Sequence, residues 1–126
     1  MLINLTNHPS TQWEPEQLHV AREKYGRIKD LPFPVVNPSW DEEMILNLAG
    51  RTVDKVLDIL SKSHRPGEKN AVHIQGEFTL VYAVVSRCLA RGIPCVASTT
   101  KRNVLMPEHG EKFSRFSFVR FRHYRP

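Results

Sequence analysis

Three short stretches carry the residue types that could do chemistry. The first is Thr6-Asn7-His8-Pro9-Ser10-Thr11, where an imidazole stands beside a carboxamide and a hydroxyl. Asn7, His8 and Ser10 could orient a substrate or move a proton; a histidine on such a loop can also be simply solvated. The second is Gln75-Gly76-Glu77-Phe78-Thr79. A strand end that turns into a helix start leaves backbone N–H groups free for an anion, and glycine lets a ligand approach the chain. The same residues also read as an ordinary helix start, with Glu77 favoured by the dipole. The third is Ser98-Thr99-Thr100-Lys101-Arg102. Three hydroxyls and two cations suit phosphate oxygens, or a solvated loop.

Other chemistry is not indicated. There is no GxGxxG and no GxxxxGK[ST] in the chain, so the common dinucleotide and Walker-type sites are not expected. His73 falls inside an apolar run and reads as a core residue. His19, His64, His109 and His123 lack ligand spacing and read as surface positions. Cys88 and Cys95 read as small buried hydrophobes in a reducing compartment. No metal site and no cofactor is expected.

The elements that must position these stretches follow from periodicity. Asn70 to Thr100 reads as one βαβ unit: a strand over Ala71–Gln75, a break at Gly76, a helix over Phe78–Arg91 stopped by Gly92, and a strand over Ile93–Ser98. Before it, Leu2–Leu5 begins a first strand. Pro15 opens a helix through Leu18, Ala21 and Tyr25, closed by Gly26. A short strand lies within Arg27–Phe33, where Pro32 and Pro34 suggest an edge. Asp41, Glu42 and Glu43 begin an amphipathic helix through Ile45, Leu48, Ala49, Val53, Val56 and Leu60, ending near Lys62. A turn covers Ser63–Lys69.

After the βαβ unit, Asn103–Glu111 reads as the loop with most freedom, and Phe113–Tyr124 as a last strand rich in aromatic and β-branched residues. Strict alternation puts Phe116, Phe118, Arg120 and Arg122 on one of its faces and Ser117, Val119 and Phe121 on the other. The order βαβαβαββ predicts a single domain over residues 1–126 with a compact Rossmann-like or flavodoxin-like α/β fold. Its open sheet is mostly parallel, has helices on both faces, and is ordered 2-1-3-4. The Thr6–Thr11 loop and the Gln75–Thr79 turn would then face one crevice. The helix over Phe78–Arg91 is apolar nearly all round, so it must be covered on more than one side, and a homodimer is expected from it.

The totals set bounds. The 126 residues carry a net charge of +5, divided as −2 over residues 1–68 and +7 over residues 69–126. The basic second half favours an anionic partner. No run is long and apolar enough for a membrane span, and no signal peptide is read at the start, which points to the cytoplasm.

With these residues in view, the chain resembles the CARF superfamily, the CRISPR-associated Rossmann-like proteins, and within it the compact stand-alone ring nucleases of type III systems. The resemblance rests on NLTNHPST, the PEQ of the first helix, HIQGEFTLVYAVVSRCLARGIPCVAS, the STTKR stretch and the final FVRFR. It implies a homodimer that binds cyclic oligoadenylate and cleaves it without metal, by attack of a ribose 2′-OH on the adjacent phosphorus, ending an antiviral signal. On this sequence it maps catalysis to Asn7, His8 and Ser10. Ligand contact maps to Thr6, Gln75, Gly76, Glu77, Thr79, Thr99, Thr100, Lys101 and Arg102. It implies no membrane and no specific DNA partner. Glu77 departs from the pattern, because a carboxylate facing a phosphate repels it. Alternatives are a module that senses or sequesters such a nucleotide without chemistry, an N-glycosyl-transfer enzyme using Glu77, and a general RNA-binding domain.

Overall fold

The computed structural model describes residues 1–63, 65–105 and 113–126. Five strands form one sheet: β1 (Leu2–Leu5), β2 (Ile28–Asp30), β3 (Ala71–Ile74), β4 (Cys95–Leu105) and β5 (Phe113–His123). Their order is β2-β1-β3-β4-β5. The first four are parallel, and β5 pairs antiparallel with β4. Every residue of β1 and β3 is buried, as central parallel strands covered on both faces must be. Asn4 and His73 are the polar members of these two strands, at 1% and 2% exposure.

The helices are α1 (Pro15–Tyr25), α2 (Glu42–Ser63) and α3 (Phe78–Ala90). α1 covers one face, where Ala21 and Tyr25 pack with Leu2, Ala71, Val96, Phe118 and Phe121. α2 and α3 cover the other, over Ile3, Leu5, Val72, Ile74 and Cys95. Asp41 caps α2 through a 3.0 Å bond from the Met44 N–H. Gly92 ends α3 at φ +73°, a left-handed conformation that glycine adopts without penalty. This is the expected α/β architecture, with the 2-1-3-4 order extended by a fifth strand.

β4 corrects one expectation. Ser98–Arg102 is not a turn after a short strand; β4 continues to Leu105, paired with β5 from Val96↔His123 to Leu105↔Phe113. β3 pairs with β4 only at Val72↔Cys95 and His73↔Val96. Among the described residues, β4 and β5 therefore leave the sheet as a two-stranded arm. The expected loop over Asn103–Glu111 likewise starts as strand up to Leu105. Its remainder, and the positions His64 and His109, lie outside the described residues.

A second correction concerns the faces of β5. The register shifts between Thr99↔Arg120 and Thr100↔Phe118, leaving Val119 as an extra residue. This β-bulge resets the alternation. Phe118 and Phe121, assigned to opposite faces by strict alternation, are both buried beneath α1 with ring centroids 5.0 Å apart, while Val119 is exposed.

Gly76 also has a packing role. A Cβ built there would lie 2.5 Å from the ring of the buried Phe33. The space that the sequence reserves for a ligand is filled on that side by an aromatic ring. Gly76→Ala is expected to lower stability by about 1–3 kcal/mol through overpacking. The readout is a lower urea midpoint at unchanged slope. An unchanged midpoint would show that the ring gives way freely.

Candidate functional site

β1 and β3 lie side by side, but the chain leaves them for helices on opposite faces, α1 and α3. Open α/β sheets bind ligands at such a switch point, beyond the carboxyl ends of the strands. A cleft of about 630 Å³ opens there. Thr6, Asn7 and His8 line it from the loop after β1, and His73, Gln75 and Gly76 from the end of β3. The start of the arm contributes Ser98, Thr100, Phe116 and Phe118, and Trp13, Glu14 and Gln17 close the α1 side.

A hydrogen-bond network anchored on Asp30 builds the cleft floor. The Asp30 carboxylate accepts from Asn4 Nδ2 at 2.8 Å, from the Ser10 N–H at 3.0 Å and from Ser10 Oγ at 2.8 Å. Burial works to raise the Asp30 carboxyl, but the bonds from Asn4 and Ser10 outweigh it and hold the group below its ordinary range. Because Asn4 Nδ2 is committed to Asp30 and to the His8 carbonyl, Asn4 Oδ1 must turn the other way. It accepts from Thr6 Oγ1 and meets His73 Nδ1, each at 2.9 Å.

This fixes the His73 tautomer. Nδ1 carries the proton, because only a donor can face Asn4 Oδ1. Nε2 is then the lone-pair nitrogen, 3.1 Å from Gln75 Oε1. Ser98 holds the Gln75 carboxamide in that orientation, since Gln75 Nε2 donates to the Ser98 carbonyl at 3.3 Å and Gln75 Oε1 accepts from Ser98 Oγ at 2.7 Å; an oxygen at His73 Nε2 favours the protonated ring, but burial opposes it more strongly. Burial pulls the His73 pKa down to about 4, which leaves the ring neutral at pH 7. Edge contacts to Trp13 at 5.3 Å and to Phe121 at 5.4 Å hold it in place. The His8 carbonyl accepts from Asn4 Nδ2 and Trp13 Nε1, and its N–H donates to Thr6 Oγ1, while the His8 side chain is exposed on the cleft rim.

The other expected site residues divide. Thr6, Asn7, His8, Gln75, Gly76 and Thr100 meet in the cleft. Ser10 is not among its lining residues, and its hydroxyl donates to Asp30. Glu77 caps α3: its carboxylate accepts from the backbone of Thr79 and Leu80 and from the Thr79 hydroxyl, and these bonds, the Thr79 hydroxyl's first, hold it below its ordinary range. The α3 start is thus already served by the chain's own carboxylate. Thr99 and Lys101 alternate to the arm face away from the cleft, where their cross-strand partners are Arg120 and Ser117. Arg102 shares the cleft-side face with Thr100, opposite Phe116.

The cleft also takes in Trp13, Glu14, Gln17, Phe116 and Phe118, which the sequence does not single out for the site; Ser98 belongs to the third stretch named from sequence, and His73, read as a core residue, is buried at 2% exposure while also lining the cleft. A signal for His73 was present: a polar residue in a four-residue apolar strand, level with Asn4 in the neighbouring strand. Among the described residues, no group of three or more His, Cys, Asp or Glu could hold a metal ion, and no helix is long and apolar enough to cross a membrane. A family model described as the Uncharacterized protein MJ1673 family matches residues 1–122. No curated protein and no solved structure matches the chain.

Proposed function

The chain belongs to the MJ1673 family, whose description assigns no activity; from the cleft and the resemblance drawn from the sequence, we propose that the cleft binds part of a cyclic oligoadenylate and opens the ring, in the cytoplasm, using the substrate's own ribose hydroxyl as nucleophile. The observation that carries this reading is the convergence of two imidazoles on one cleft, with the tautomer of His73 fixed by Asn4 and Asp30. In the proposed step His73 Nε2 accepts the 2′-OH proton as Gln75 swings aside. The 2′-oxygen bonds to phosphorus, the bond from phosphorus to the 5′-oxygen breaks, and His8 at the rim gives the leaving oxygen a proton. The products are a 2′,3′-cyclic phosphate end and a 5′-hydroxyl end, with protons balanced between the two rings. Once protonated, His73 keeps its Nδ1–H bond to Asn4 Oδ1, whose carbonyl dipole stabilises the charge.

The rest of the lining suits such a ligand. Trp13, Phe116 and Phe118 offer aromatic surface for a base, and Asn7, Thr6, Ser98 and Thr100 offer polar groups for ribose and phosphate. Among the described residues the cleft lining includes Glu14 but no Lys or Arg; Arg102, two positions along the arm from Thr100 and on the same face, is the cation this reading places toward the phosphate. The N-glycosyl-transfer reading loses its nucleophile, since Glu77 caps α3 and does not line the cleft.

One observation favours binding without chemistry: the Gln75 carboxamide covers His73 Nε2. A single experiment separates the readings. Purified protein is mixed with cyclic tetra- and hexa-adenylate in EDTA, and products and melting temperature are followed. Linear products with cyclic phosphate ends are expected. Ligand recovered intact with a raised melting temperature would convert the proposal to sequestration, and neither effect with any ring would end it.

A further inference from the structure

Phe78 and Tyr82 stand one helical turn apart on the outer face of α3, 89% and 76% exposed. The sheet and α2 cover the rest of this helix, so its outer face is where polar residues belong. Beside the two rings, on the α2 side, runs a groove of about 640 Å³ walled by Trp40, Ile45 and Leu46. On the other side runs a groove of about 480 Å³ walled by Val85, Leu89 and Tyr124. An apolar ridge between two apolar grooves is complementary to a copy of itself, which is the requirement for an isologous contact. The charges are ordered along the same face. Asp41 and Glu42 lie at the Phe78 end, and Arg87 and Arg91 toward the Ala90 end.

We propose that this face docks a second copy of the chain, with the two α3 helices antiparallel about a two-fold axis and the aromatic ridge of each seated in a groove of the other. Reversal of the helices brings Glu42 of one copy against the partner's Arg87, twice per dimer. A two-fold contact with the helices parallel would leave the acidic ends together. The surface is separate from the cleft, and the inference stands whatever the cleft does.

The test is sedimentation equilibrium on the whole chain. The wild type is expected to dimerise, and Tyr82→Arg to give monomers with unchanged circular dichroism. Glu42→Arg and Arg87→Glu should each weaken the dimer about tenfold or more, since each places like charges opposite one another in both contacts. Mixed in equal amounts, the two variants should regain wild-type association, because each chain then meets its opposite charge. A wild type that stays monomeric at high concentration would overturn the proposal, as would singly charged variants whose mixture associates no better than either alone.

Discussion

His73→Gln is expected to slow ring opening by about 100-fold or more, with little change in the substrate concentration for half-maximal rate. Glutamine can still donate to Asn4 Oδ1, so the cleft keeps its shape, but no nitrogen remains to take the 2′-OH proton. General acid–base catalysis contributes about 100- to 10,000-fold. The low basicity of a ring whose pKa is about 4 favours the smaller figure. Single-turnover rates at saturating cyclic oligoadenylate measure it. A His73→Gln rate within about tenfold of wild type would remove His73 from the chemistry. His8→Ala is the informative companion. A large loss there with His73→Gln nearly silent would place the proton transfer on the loop after β1.

The second large effect is on stability in acid. In the folded chain His73 has a pKa of about 4, against an ordinary 6.5, because burial opposes the charge. Between those values the unfolded chain binds a proton that the folded chain does not. Stability is therefore unaffected by this group above pH 6.5, falls as the pH drops toward 4, and is lower by roughly 3 kcal/mol once below it. Urea midpoints from pH 7 to pH 4 should fall steeply in the wild type and much less in His73→Gln. Equal slopes in the two would show that the buried ring does not control the transition. Asp30 and Glu68 act at lower pH. Their carboxyls are held below the ordinary range, Glu68 to about 2 by Arg27, so their contribution is present above pH 4 and is lost as the pH falls through the folded values.

The sheet was legible in the sequence because its signals were local. Apolar runs, helix-start acids and glycines at helix ends mark β1, β3, α2 and α3, and chain connectivity then orders the parallel strands. The arm was not legible. Ser98-Thr99-Thr100-Lys101-Arg102 looks like a polar turn because its partner strand, not its own burial, keeps it extended. The bulge at Val119 was equally hidden, since one extra residue reverses which aromatics share a face. At the site, the loop residues Thr6, Asn7 and His8 were found from residue type. His73 was read as a core residue, which it is; that it also reaches the cleft depends on Asn4 and Asp30, neighbours that the chain brings together only across β1, β2 and β3. For Glu77 the sequence left two readings open, a ligand contact and an ordinary helix start, and the structure shows the second. Its bonds to Thr79 and Leu80 are local, but a carboxylate beside a glycine reads as chemistry until its acceptor sites are seen to be filled.

The bond from His73 to Asn4 links residues 69 positions apart, and this has a consequence for synthesis and folding. While the ribosome has released only β1, α1, β2 and α2, one edge of β1 has no neighbour and Asn4 Oδ1 has no imidazole. α2 can form, but part of the surface it covers belongs to β3. The central pairing must wait for the second half of the chain, and long-range parallel pairing of this kind is slow and leaves strand edges open in the meantime. The cleft is thus among the last features to exist. A nascent or truncated chain that ends before β3 carries the Asn7-His8 loop but has no floor beneath it.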